Sequence, residues 1–105
     1  MSMVVLPASA QVDLGAVARL TNARRVDLAS EEEFRRRFPD CETGAMPPFG
    51  NLYGMPVFAD ESLTNDDEIA FNAGSHRELI RMAWSDYVWL AHPAIVELAM
   101  KLALA

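Results

Sequence analysis

Two short stretches hold residue types that chemistry can use. The first is Gly44-Ala45-Met46-Pro47-Pro48-Phe49-Gly50, with a glycine or proline at four of its positions. Glycine lets a backbone approach a ligand closely or take a positive φ. Proline fixes φ and lowers the entropy of the open chain. A rigid loop of this kind can aim backbone N–H groups at a ligand, as an oxyanion hole does. On composition alone it reads equally as a tight structural turn. The second stretch is Asn72-Ala73-Gly74-Ser75-His76. There an imidazole leaves the end of an expected strand, where it can face a cleft or sit as plain polar surface. His92 precedes Pro93 between helical segments and reads as a surface or capping residue.

Other catalytic signatures are missing. The chain has no G-x-S-x-G, no P-loop and no H-E-x-x-H. Its one cysteine, Cys41, rules out an internal disulfide or a cysteine-built metal cluster and reads as an inert small residue rather than a catalytic thiol. Asp60, Glu61, Asp66, Asp67 and Glu68 crowd one region, but their spacing fits no EF-hand, and a solvated loop is the better reading. No metal and no cofactor is therefore expected. The net charge of −6 argues against tight binding to a phosphate backbone and so against DNA, while leaving room for a small contact with one end of an RNA. Lys101 is the single lysine; the other basic residues are arginines. The N-terminal "MSMVVLPASA" lacks a basic region, and its apolar run is too short for a signal peptide or membrane span, which gives a cytoplasmic protein as the default.

The elements that must position these residues follow from patterning. The 105 residues fit one domain. "SMVVLPA" predicts a short strand ended by Pro7. "VDLGAVARLTN" predicts a helix capped by Asp13. "RRVDLA" predicts a brief strand. "SEEEFRRRF" predicts a helix with a capping box from Ser30 and Glu33, and its arginines read as a solvated face balanced by its own glutamates. "MPVFADE" and "EIAFNAG" predict strands, and "SLTNDD" a turn. "SHRELIRMAW" is ambiguous: Ser75 and Glu78 imitate a capping box, yet Ile80, Met82 and Trp84 alternate as in a strand. "SDYVWLAHPAIVELAMKLALA" predicts helix, capped by Ser85 and interrupted at Pro93. The order indicates an α+β protein.

Together, "LPASAQVDL", "LASEEEFRRRFPDCETGAMPPFGNLYGMPVFADESL" and "FNAGSHRELIRM" resemble the YbaK/prolyl-tRNA synthetase-associated domain family of aminoacyl-tRNA deacylases. The resemblance runs from about residue 4 to the last helix. Its specific parts are a G-x-x-x-P loop, here Gly44 to Pro48, and the strand–Ala–Gly–X–His segment ending at His76. It implies an α+β fold with a mixed, mostly antiparallel central sheet flanked by helices, and makes "RELIRMAW" a strand. It implies hydrolysis by water of the ester joining a small, mischarged amino acid to the tRNA acceptor end. Gly44 and His76 would act on the reacting ester, with Pro48 against the substrate; Met46 and Phe49 read either as further substrate-binding residues that narrow the pocket or as core. The pocket would select by size, as a second sieve. Full-length members carry a further N-terminal part with a lysine near the pocket. Lys101 cannot take that lysine's role; Arg77 or Arg81 is a candidate cation. The expectation is thus a single editing domain over residues 1–105, incomplete at its N-terminus. Its partner would be the aminoacyl-tRNA acceptor end. A homo-oligomer or a complementing chain would cover the surface the N-terminal part leaves. The alternative is an inactive remnant that binds a protein or an RNA end.

Overall fold

The computed structural model describes residues 1–100. Along the chain come β1 (Met3–Val5), α1 (Leu14–Thr21), α2 (Glu31–Arg37), a 3-10 turn at Gly50–Tyr53 and β2 (Val57–Asp60). A second 3-10 turn at Glu61–Asn65 leads to β3 (Glu68–Asn72), β4 (Leu79–Ala83), α3 (Trp84–Ala91) and β5 (Ala94–Val96).

The helices start where local chemistry dictates. Asp13 accepts the Ala16 N–H at 3.1 Å and caps α1. Ser30 and Glu33 form a reciprocal capping box on α2, each bond 3.1 Å. Apolar faces then meet in two clusters. Phe34 of α2 and Phe38 at its C-cap pack with Met3, Met55 and Val57, while Leu63, Ile69, Tyr87 and Ala91 pack around Ala59. β2 thus joins the two halves of the core through Val57 and Ala59. Gly50 sits at a close approach of the chain: a Cβ there would lie 2.9 Å from Val57 and 3.0 Å from Met55.

The strands form two sheets. β1, β2 and β5 make a parallel sheet in the order β1-β2-β5, and β3 and β4 form a separate antiparallel hairpin. The fold is α+β as expected, but the sheet is mostly parallel, not antiparallel. β1, β2 and β5 are far apart in sequence, so each joins the sheet after a crossover, and short apolar strands carry no local sign of their direction.

Three local expectations are also corrected. Residues 24–29 form no strand: Leu28 is 73% exposed, and Arg25 pairs with Asp27 in solvent at 2.8 Å. The segment after Pro93 is not helix within the described residues. His92 takes a left-handed conformation that ends α3, and Ala94–Val96 then pairs with β2. The Ser85 cap is displaced: α3 begins at Trp84, whose N–H donates to the Asp67 carbonyl at 2.9 Å. Conversely, the Ser75–Glu78 pattern starts no helix, and β4 follows it. Lys101 lies outside the described residues, as does the rest of the expected final helix.

Asp60 closes the C-terminal side. It is 3% exposed, and its carboxylate accepts the Leu98 N–H at 2.7 Å and the Ala99 N–H at 3.0 Å. The Ser62 N–H and hydroxyl bond its other oxygen. Burial alone would raise this carboxyl's pKa; the hydrogen bonds to its charged form outweigh that and hold it below the ordinary value. Asp60 is therefore a buried clamp, not part of a solvated acidic loop.

Candidate functional site

Residues 42–45 form a turn closed by the Ala45 N–H on the Glu42 carbonyl at 2.9 Å. Gly44, third in this turn, has φ 79°, a conformation that L side chains rarely take. The turn is laced to the segment that bears the histidine. The Glu42 N–H donates to the Gly74 carbonyl at 2.8 Å, and the Gly74 N–H donates to the Ala45 carbonyl at 2.9 Å. These reciprocal bonds bring together two motifs that lie apart in the sequence.

The β3–β4 hairpin carries that second segment. The Ala73 N–H donates to the Glu78 carbonyl at 3.0 Å, which closes the connection. His76 then reaches back across the turn, with Nε2 2.8 Å from the Thr43 carbonyl oxygen. A carbonyl only accepts, so Nε2 carries the proton, and in the neutral ring Nδ1 holds the lone pair. A Cβ built on Gly44 would lie 4.0 Å from His76 Cε1. The glycine and the imidazole therefore stand against each other on one side of the loop.

An open groove of about 400 Å³ runs beside this pair. The segment from Met3 to Ala8 forms one wall, the β3 residues from Glu68 to Phe71 another, and Gly44, Met46 and Pro48 a third. Val5, Leu63, Ile69 and Phe71 make much of it apolar, while Asp66 and Glu68 add carboxylates. A groove of this volume has room for a small organic group, with a few polar side chains at its wall.

The predicted residues fall into three positions. Gly44, Met46 and Pro48 line the groove. His76 is exposed and stands against Gly44 without lining the groove itself. Phe49 lies behind the wall, edge-on to Phe71 at 5.6 Å and to Tyr87 at 5.4 Å between ring centroids. Arg81 lies 3.6 Å from Glu68 in an exposed pair, and the Arg77 N–H donates to the Ser75 hydroxyl. Cys41 packs beside the turn, its sulfur 3.9 Å from the Tyr53 hydroxyl. Among the described residues no group of three or more His, Cys, Asp or Glu could hold a metal ion.

Sequence reasoning missed two contributors. The strip after β1 was read only as a strand end, although Leu6 and Pro7 face the groove. Tyr87 was read as part of a helix, yet its hydroxyl donates to the Pro48 carbonyl at 2.7 Å. The run "SDYVWLA" signals an apolar helix face but says nothing about that acceptor.

Comparison with known proteins identifies the family. A model of the aminoacyl-tRNA editing domain matches residues 1–90. The multifunctional Ser/Thr-tRNA deacylase ProXp-y of Escherichia coli K12 is 35% identical over 95 residues, which is 90% of this chain and 56% of the relative. The chain thus spans just over half the length of that curated relative. A crystal structure described as a candidate trans-editing enzyme for prolyl-tRNA synthetase superposes with a TM-score of 0.78 at 26% identity, over 88% of this chain and 57% of the other. The hypothetical protein APE2540 shares the fold, with a TM-score of 0.79 at 14% identity over 92% of this chain and 65% of that one. With the editing-domain match covering the loop, the histidine segment and nearly all of α3, the chain belongs to the aminoacyl-tRNA editing domain family.

Proposed function

We propose that this chain hydrolyses the ester between a small, mischarged amino acid and the terminal ribose of a tRNA. The observation that carries the reading is the Gly44 turn, held against His76 at the wall of an apolar groove. The aminoacyl group would enter the groove beside Met46 and Pro48. Asp66 and Glu68 favour its ammonium end and repel phosphate, so the tRNA backbone stays outside. Water adds to the ester carbonyl, the carbon–oxygen bond to the ribose breaks, and the ribose oxygen leaves with a proton. His76, its Nε2–H spent on Thr43, presents Nδ1 to orient the water or take its proton. The Gly44 backbone, without a Cβ, lets the carbonyl come close. The groove then acts as a size filter, in line with the serine and threonine named for the curated relative.

A panel of tRNAs charged with serine, threonine, alanine and leucine tests this. Release of the small amino acids, with leucine retained, is expected. A folded protein that binds the acceptor end but releases nothing would overturn it in favour of a binding module. That substrate also sets a cytoplasmic site of action; among the described residues no helix is long and apolar enough to cross a membrane. Association with a second chain is proposed from the exposed Leu52 and Trp89, at 74% and 75%. A monomer in sedimentation at high concentration would refute it.

A further inference from the structure

We infer that Tyr87 is a positioning residue that sets the width of the groove, an inference that rests on the editing function proposed above. The ring is completely buried, and its hydroxyl donates to the Pro48 carbonyl at 2.7 Å. Pro48 is itself buried and lines the groove. The same ring meets Phe49 edge-on at 5.4 Å, and Phe49 meets Phe71, which lines the facing wall. On its other side Trp84 lies 5.4 Å away and fixes the tyrosine from within α3. Tyr87 therefore holds one wall of the groove through a hydrogen bond and supports the other through the Phe49 ring behind Phe71, and, fully buried, it does not itself face the groove.

The loop around Gly44 has two anchors. At its start the reciprocal bonds with Gly74 hold residues 42–45. At its end Tyr87 holds Pro48. Between them lie Met46 and Pro47, so the position of the Met46 wall depends on both. Without the tyrosine hydroxyl, the buried Pro48 carbonyl loses that partner, and a buried polar group left unpaired moves toward water. Such a shift widens the groove, while the anchor beside Gly44 and His76 stays in place. The prediction is thus a loss of discrimination rather than a loss of chemistry.

Tyr87→Phe keeps the ring and removes the hydroxyl. The readout is the ratio of kcat/KM for seryl-tRNA to that for leucyl-tRNA, together with amide hydrogen exchange over residues 45–50. The ratio should fall about tenfold, the scale of one lost neutral hydrogen bond, with the exchange of this loop faster and that of β1 and β2 unchanged. Phe49→Leu weakens the ring contact and keeps the hydroxyl; it should shift the ratio in the same direction by less. An equal fall in both rates at an unchanged ratio would overturn the inference, because a merely structural tyrosine acts on both substrates alike. If the wild-type protein releases neither amino acid, the editing reading fails by itself. Binding of the adenosine 3′-amides of serine and leucine then reports the groove: an unchanged binding ratio in Tyr87→Phe overturns the inference, and a narrowed one upholds it.

Discussion

Two irregular segments of this molecule are pinned from outside by a single buried side chain, and the pins differ in charge. The Gly44 loop is held at Pro48 by the neutral hydroxyl of Tyr87. The segment at Leu98 and Ala99 is held by the ionised carboxylate of Asp60. The neutral pin contributes one bond. The charged pin gathers two backbone N–H groups and the whole of Ser62's donor capacity. Hydrogen bonds to a charged group are about twice as strong as neutral ones. The structural segment therefore receives the stronger device, and the segment beside the proposed site the weaker and more adjustable one.

The largest effect should come from breaking the stronger pin. Asp60→Ala leaves the N–H groups of Leu98 and Ala99 without this acceptor and should destabilise the protein by about 3 kcal/mol, whereas Tyr87→Phe should cost about 1 kcal/mol. Urea denaturation of the two variants measures both. A larger loss for Tyr87→Phe would reverse the comparison.

The same contrast appears against pH. The Asp60 carboxyl is held below its ordinary value by its hydrogen bonds against the cost of burial. Its contribution is complete above the unfolded value, about 3.9, and is lost as the pH falls through the lower folded value. Tyr87 is pushed by burial up to about 12. Its contribution is complete below the unfolded value, about 10, and is lost only as the pH rises from there toward the folded value. Acid should thus weaken the clamp at Leu98 and leave the pin at Pro48 intact. Stability followed from neutral pH downward should decline in the wild type below about pH 4, and Asp60→Asn should flatten that decline. An equally steep acid limb in Asp60→Asn would show that other carboxylates govern it.

The two segments also differed in how far the sequence revealed them. Gly44 was readable because a turn that needs positive φ selects glycine, and the family resemblance marked His76. Their joining was not readable from local pattern: the bonds between residues 42–45 and Gly74 are backbone contacts, which no side chain announces. The charged pin was misread for a related reason. Asp60 lies in an acidic run, and what separates it from Asp66 or Asp67 is burial among distant N–H groups. β5 was missed because "AIVELAM" fits helix and strand alike, and β2 was free to take it as a neighbour. The parallel sheet was hidden because direction is set by the crossovers, while α1 and α2 were legible from their own caps.

The smallest structural change bears on the proposed chemistry. Gly44→Ala adds one methyl group. It meets no clash, since its nearest neighbour is His76 Cε1 at 4.0 Å, so the cost comes from holding φ at 79° with a Cβ present. That strain is about 1–2 kcal/mol. The loop can relieve it only by turning the peptide beside His76, and a misplaced reacting group costs rate steeply. Deacylation should therefore fall by about tenfold or more, with Tm lowered by about 5 °C or more while the fold is kept. Cys41→Ala is the matched control, because the sulfur lies 3.8 Å from the Cβ position of Gly74 and 3.9 Å from the Tyr53 hydroxyl, on the supporting side of the turn. Its removal should lower stability slightly and leave the rate near that of the wild type. Equal loss of rate in the two variants, with folding intact, would mean that the turn acts only as a support and that the chemistry lies elsewhere along the groove.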